Sequence, residues 1–169
     1  MTDTAHETWM MWLRDAHAME AQAETMLNAQ IGRLETYPAI RMRMEQHLRE
    51  TTAQRDALSR LLETHGDSAS AIKDTMGKLM AAGQGLSGVF AADEVMKGSL
   101  ASYTFEHMEI ASYRMLIAGA QELGMTDAVA VLEPILQQEI AMADWLSENL
   151  APLTRSFLAR ADSDLQAKR

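Results

Sequence analysis

Long stretches without helix breakers constrain this chain more than any other feature. Only three prolines and nine glycines occur in 169 residues, and the stretches between them are rich in Ala, Leu, Met, Glu and Gln. Those are strong helix formers. Alternating Val/Ile/Thr runs with Asn-Gly turns, the usual hairpin signals, are absent. The chain therefore reads as all-α. A first helix is expected from about Thr4 to Leu34, broken by Tyr37-Pro38. Pro38 suits the first turn of a second helix that runs to about His65. GDSAS (Gly66–Ser70) supplies a stop and serine N-caps, a short helix follows over Ala71–Met80, and AAGQGLSG (Ala81–Gly88) is a weak or bent region. A third long helix covers Ala92–Leu123. Gly124 ends it, and Thr126 or Asp127 caps a fourth that extends to Leu150. Pro152 sets off a short amphipathic piece, Leu153–Leu158, and ADSDLQAKR forms a polar tail. Residues 1–160 thus read as one helical domain and 161–169 as the tail. The order is two hairpins of long helices with a long joint between them, and a joint of that length allows helices 2 and 3 to run parallel, as in bundles with one crossover.

Each long helix carries acid on its apolar face. An α-helix turns about 100° per residue, so positions 3, 4, 7 and 11 apart share a side. Glu20 sits in the stripe Trp9, Leu13, Ala16, Leu27, Ile31, Leu34. Glu50 shares a side with His47 and Gln54, in line with Ala57, Leu58 and Leu61. Glu106 and Glu109 lie within Val95, Ile110, Tyr113, Leu116, Ile117, Ala120, and Glu139 is central to Leu132, Ile135, Leu136, Met142, Ala143, Leu146. The depths agree as well. Glu20 lies 16 residues before a turn near residue 36 and Glu50 lies 14 after it; Glu109 and Glu139 each lie 15 from a turn near residue 124. At about 1.5 Å rise per residue, each pair reaches one level of its hairpin, so five carboxylates converge on one layer.

A buried, uncompensated carboxylate costs several kcal/mol even after relaxation. No lysine lies within a turn on the same stripes, and Arg43 is two turns from Glu50. Protonation of some acids is one answer. Two divalent cations are another, neutralising four of the five charges and occupying oxygen lone pairs. Carboxylates with a histidine suit iron or manganese. The alternative is that these glutamates are exposed, or are structural acids hydrogen-bonded to Tyr103, Tyr113 and Gln54.

Charge and composition narrow the functional classes. The formal net charge is −9 and no basic face is evident, which argues against a nucleic-acid partner. There is no cysteine, so disulfides, zinc-thiolate sites and thiol nucleophiles are excluded. MTDTAHETWMMW lacks the basic region and apolar run of a secretory signal, and no apolar run approaches the ~20 residues that span a bilayer. A soluble cytoplasmic protein without a membrane partner is expected.

AMEAQAE (Ala18–Glu24), EQHLRET (Glu45–Thr51), FEHMEIASY (Phe105–Tyr113) and QQEIAMADWL around Glu139 resemble the YciE/YciF group of bacterial ferritin-like proteins. The resemblance covers nearly the whole chain. H-x-x-E-T and E-H-x-E-I-A-x-Y are its most specific motifs, and KDTMGKLMAAGQGLSG (Lys73–Gly88) looks closer to YciE. It implies a ferritin-like four-helix bundle with a long crossover containing a short extra helix, a homodimer, a rubrerythrin-like site for two divalent metal ions (iron, or else manganese), and an association with stress responses. The expected ligands are Glu20, Glu50, Glu106, Glu109 and Glu139, with His47 as nitrogen donor. The usual Glu-x-x-His pairs are missing, because positions 44 and 142 are both Met. YciF-like relatives carry an acid where this chain has Ala143, and Asp144 is turned ~100° away.

Other polar residues read differently. His107 is rotated away from Glu106 and Glu109, which suggests a hydrogen-bonding role outside the site. His17 and Glu24, one turn to each side of Glu20, read as a polar seam between helices or as auxiliary ligands. The 14 methionines are flexible core filler, and Trp12, off the main stripe, is a residue for a partner subunit. The leading functional expectation is a redox-active di-metal protein that handles peroxide, oxygen or Fe(II), a small oxidant being the substrate. A structural or binding protein with a vestigial site is the alternative, and an iron-storage cage is a third.

Overall fold

The computed structural model describes residues 3–67 and 94–162, and all of the long elements within them are helices. They are α1 (Asp3–Ile31), α2 (Pro38–Thr64), α3 (Glu94–Leu123) and α4 (Thr126–Asp162). The short helix expected over 71–80, the bent region 81–88 and residues 163–169 of the expected tail lie outside the described residues.

The turns follow from local chemistry. Pro38 occupies the first turn of α2, where its missing N–H leaves no bond unmade. α2 ends on Gly66 at φ 100°, with Gly66 N–H donating to Glu63 O and Asp67 N–H to Leu62 O. α3 ends the same way on Gly124 at φ 72°, with bonds from Gly124 to Gln121 and from Met125 to Ala120. Both are left-handed glycine caps that satisfy the last carbonyls of a helix. Gly124 leaves room only for a tight reversal into α4.

Cross-helix bonds fix the directions. Trp9 near the start of α1 donates its indole N–H to Leu116 O near the end of α3, and Gln30 near the end of α1 accepts from Ser102 near the start of α3. α1 and α3 are therefore antiparallel neighbours. α2 and α4 are antiparallel too: His65 meets Asp127 at one end and Arg160 bonds Thr36 O at the other. Contacts join α1 to α2, α3 to α4, α1 to α3 and α2 to α4. Since α1 runs against both α2 and α3, those two helices are parallel. Parallel α2 and α3 are the arrangement of bundles with one long crossover.

α4 departs from expectation. It is one 37-residue helix that contains both Pro134 and Pro152, so Leu153–Leu158 is no separate piece, and Ala161 and Asp162 are helical rather than tail. A proline inside a helix costs roughly 3 kcal/mol. Long-range contacts offset it here: Leu153 is buried, Phe157 packs beside it, and the Arg160 guanidinium lies 5.3 Å from the Tyr37 ring centroid.

The interior has two apolar clusters. One gathers Trp9, Leu13, Leu58, Leu62, Tyr113, Leu116 and Leu132; the other gathers Leu27, Leu34, Tyr37, Met44, Val95, Met142 and Leu146. On each helix the buried acid or histidine falls in sequence between residues of the two clusters. Met44, His47 and Leu58 follow this order on α2, and Ile135, Glu139 and Met142 follow it on α4.

Candidate metal centre

The layer between the clusters is built from all four helices. Glu20 (0% exposed) comes from α1, His47 (1%) from α2, Glu106 (3%) and Glu109 (1%) from α3, and Glu139 (0%) from α4. His47, Glu106, Glu109 and Glu139 each offer a ligand atom, and these atoms all lie within 4.8 Å of one another. Glu20 is buried alongside them, close enough for its charge to act on Glu109. Glu50 does not join the layer. It sits at the rim with its side chain 20% exposed, drawn outward by Arg43 Nη1 at 3.2 Å and Gln46 Nε2 at 2.8 Å. Two helical turns separate Arg43 from Glu50, and the long guanidinium arm spans them.

One imidazole links the groups. His47 Nδ1 faces Glu50 Oε2 at 3.0 Å, while Nε2 lies 3.3 Å from Glu106 Oε2 and 3.4 Å from Glu139 Oε2, without hydrogen-bond geometry to either. Burial alone would lower the His47 pKa. Its three carboxylate neighbours more than reverse that and push it up to about 12. The contact with His47 holds Glu50 down to about 2. Burial pushes Glu106 up to about 7 against the pull of His47. Burial, with repulsion from neighbouring acids, raises Glu20 and Glu109 well above the carboxylate range.

The polar partners are too few for the acids. Tyr113 donates its hydroxyl to Glu20 Oε1, and Gln54 Nε2 donates to Glu139 Oε1 at 2.5 Å and to Gln138 Oε1 at 2.9 Å. Glu20 Oε2, Glu106 Oε2, Glu139 Oε2 and both oxygens of Glu109 are buried without a hydrogen bond. Buried polar atoms are rarely left in that state. The convergent carboxylates of Glu106, Glu109 and Glu139 with the His47 imidazole, and Glu20 buried beside them, form a hard, oxygen-rich donor set that fits iron or manganese. Tyr113 and Gln54 do bond acids, as the structural alternative anticipated, but they reach only two of the oxygens in the layer.

Neighbouring residues mostly stand where their helical phase puts them. His107 is exposed and packs edge-on against Tyr103, ring centroids 4.7 Å apart, away from the acids. Tyr103 therefore holds no glutamate. His17 meets Ser59 Oγ at 2.8 Å and Glu24 pairs with Arg55, which makes a polar seam between α1 and α2. Burial, then the charge of Arg55, lowers the His17 pKa. Asp144 is exposed while Ala143 is buried at 3%, so the place of an acid in YciF-like relatives holds only a methyl group here. Arg43, two turns from Glu50 in the sequence, does reach it, and Gln46 is a partner that the apolar stripes do not reveal, although its i, i+4 spacing is a usable signal.

An antiparallel four-helix bundle with one crossover and a carboxylate–histidine layer in its core defines a ferritin-like protein. Within that class, the chain belongs to the DUF892 family, described as a domain of unknown function, whose profile matches residues 4–159, and thereby to the YciE/YciF ferritin-like group. A solved protein from Xanthomonas campestris pv. campestris is 39% identical over 94% of this chain and 99% of its own, with a TM-score of 0.78. YcfI from Rhodopseudomonas palustris is 27% identical over 87% of this chain and 94% of its own, with a TM-score of 0.67. The E. coli stress protein YciF shares the fold at 22% identity over 89% of this chain and 96% of its own, with a TM-score of 0.67. Among the described residues no helix is long and apolar enough to cross a membrane.

Proposed function

We propose that the core layer binds two divalent metal ions, iron or else manganese, and that the protein acts on peroxide, oxygen or Fe(II) as a cytoplasmic, stress-associated homodimer. The observation that supports this reading above others is Glu109: 1% exposed, with neither carboxylate oxygen hydrogen-bonded, among three more potential ligands. When bound, iron or manganese held by carboxylates and imidazole supplies redox chemistry with coordination positions left for a small oxidant. The chain's own residues prepare that site. Tyr113 and Gln54 orient Glu20 and Glu139 by holding one oxygen of each. Glu50, at His47 Nδ1, fixes the ring so that Nε2 faces the acids. The two apolar clusters exclude water above and below the layer.

Elemental analysis of the native protein, followed by peroxide consumption with iron- or manganese-loaded protein, tests the reading. Metal at up to two ions per chain and peroxide turnover that depends on it are the expected results. A protein that takes up neither metal sinks the proposal.

The buried methyl of Ala143 and the hydrogen bonds already made by Glu20 and Glu139 favour a second reading, a non-catalytic scaffold with a vestigial site. Glu139→Gln separates the two. On the metal reading it abolishes high-affinity loading and the accompanying rise in Tm. On the scaffold reading it is neutral or stabilising.

A further inference from the structure

Among the described residues, three of the four seams between helices are bridged or closely packed. On the α1–α3 side Ala16, Met19 and Tyr113 are buried, and Ser112 Oγ approaches Met19 Sδ at 3.8 Å. The α1–α2 seam is bridged by Arg55 to Glu24 and by His17 to Ser59. α3 and α4 form the most extensive contact in the bundle. The α2–α4 seam differs, being the most thinly packed of the four. It opens into a groove of about 330 Å³ lined by Arg43, Gln46 and Glu50 of α2 and by Gln138, Ala141 and Trp145 of α4. A single water needs only roughly 10–15 Å³ of such space. Where the chain leaves α2, Asp67 is paired with Arg14 of α1, the helix diagonal to α4.

We infer that this groove is the route by which divalent cations reach the core, with Glu50 the carboxylate that meets them and Arg43 a latch upon it. The inference rests on the metal reading above. Glu50 is the only acid of the set with appreciable exposure, 20% against 3% or less for its neighbours, and it stands between the groove and His47. A hydrated cation crossing a low-dielectric wall loses water ligands that must be replaced. An apolar seam offers none, whereas this one offers amide oxygens. Gln54 ties the groove residue Gln138 to the cluster acid Glu139, and its own amide oxygen is buried at a 2% exposed residue without a hydrogen bond. Polar groups thus continue from the surface to the layer. Arg43 shares Glu50 Oε2 with His47, so an arriving cation must displace a like charge from that oxygen. The latch slows passage in both directions.

The test follows Mn²⁺ uptake by the metal-free full chain, read as loss of the free Mn²⁺ EPR signal, and release of Mn²⁺ to excess EDTA. Ala141→Phe fills the groove and should slow uptake roughly tenfold or more, a barrier rise of about 1.4 kcal/mol per factor of ten, with the final stoichiometry unchanged. Arg43→Gln should speed both uptake and release several-fold. Ala118→Phe, on the exposed outer side of α3, should change neither. Equal rates for Ala141→Phe and Ala118→Phe overturn the route, as does slower uptake in Arg43→Gln, a variant whose partly exposed site keeps the test alive should the bulky change perturb folding. Wild-type protein that takes up neither Mn²⁺ nor Fe²⁺ overturns the metal reading and the route together, whereas normal loading at rates indifferent to these changes sinks the route alone.

Discussion

Glu109 concentrates the tension between folding and function in a single side chain. Neither of its oxygens has a donor, and burial with neighbouring acids raises its pKa well above the ordinary range. In metal-free protein near pH 5 it therefore carries its proton, and the isosteric, neutral amide of Glu109→Gln should change stability little. Near pH 8 the wild-type carboxyl is under pressure to ionise and the amide is not. The variant should then be more stable by about 1–3 kcal/mol, the scale of one unsatisfied buried polar group. Urea midpoints of wild type and variant at the two pH values measure this. A variant less stable than wild type at pH 8 would show that Glu109 has partners that its surroundings do not suggest. The position of this residue, like those of Glu20, Glu106 and Glu139, was legible in the sequence because an acid on an apolar stripe of period 3.6 has nowhere to point but inward. Glu50 shared its side with His47 and was still misplaced. Its position is decided by a seven-residue reach from Arg43, and side-chain length of that kind leaves no trace in helical phase.

At the scale of elements, the helices were legible and the length of the last one was not. Pro152 is a local stop signal, but α4 continues because Leu153, Phe157 and Arg160 find partners at the far end of the chain's first hairpin, contacts that no local pattern announces. If that extension is part of the fold, Leu153→Ala should cost about 2–4 kcal/mol, as for other buried leucines, measured as a shift in urea midpoint at constant m. An unchanged midpoint would mark the segment as an appendage. The α1–α3 contact has a comparable pivot. A Cβ at Gly119 would lie 2.7 Å from Trp9 Cδ1, and Trp9 is 1% exposed with its indole bonded to Leu116 O. Gly119→Ala gains roughly 1 kcal/mol of helix propensity, but it forces a fixed ring to move, at about 1–3 kcal/mol. A net loss of stability is expected in thermal melts. A gain would mean that the α1–α3 spacing relaxes freely.

For the whole molecule, the metal-free and metal-loaded forms should respond to pH in opposite directions. His47 is held up to about 12, above its unfolded value near 6.5, so its contribution is complete below 6.5 and is lost as pH rises toward 12. The raised acids act in the same direction. Glu106, at about 7, and Glu20 and Glu109, well above the usual range, retain protons that the unfolded chain releases above about 4.5. Where the folded state binds more protons, stability falls with pH, by about 1.4 kcal/mol per unit for each retained proton. Glu50 works the other way, its contribution being lost as pH falls from about 4.5 toward 2, which sets the acid limb. Metal-free protein should therefore be most stable below about pH 4.5, where the loss at Glu50 balances the protons kept by the raised acids, and weaken steadily toward pH 8. Metal ions compete with those same protons, so their affinity, and the stabilisation linked to it, grows over that interval. Melts in EDTA and in excess Mn²⁺ should diverge as pH rises, with proton release on loading in a weakly buffered solution. Parallel curves would mean that the layer exchanges no protons for metal, and the scaffold reading would then stand in place of the metal one.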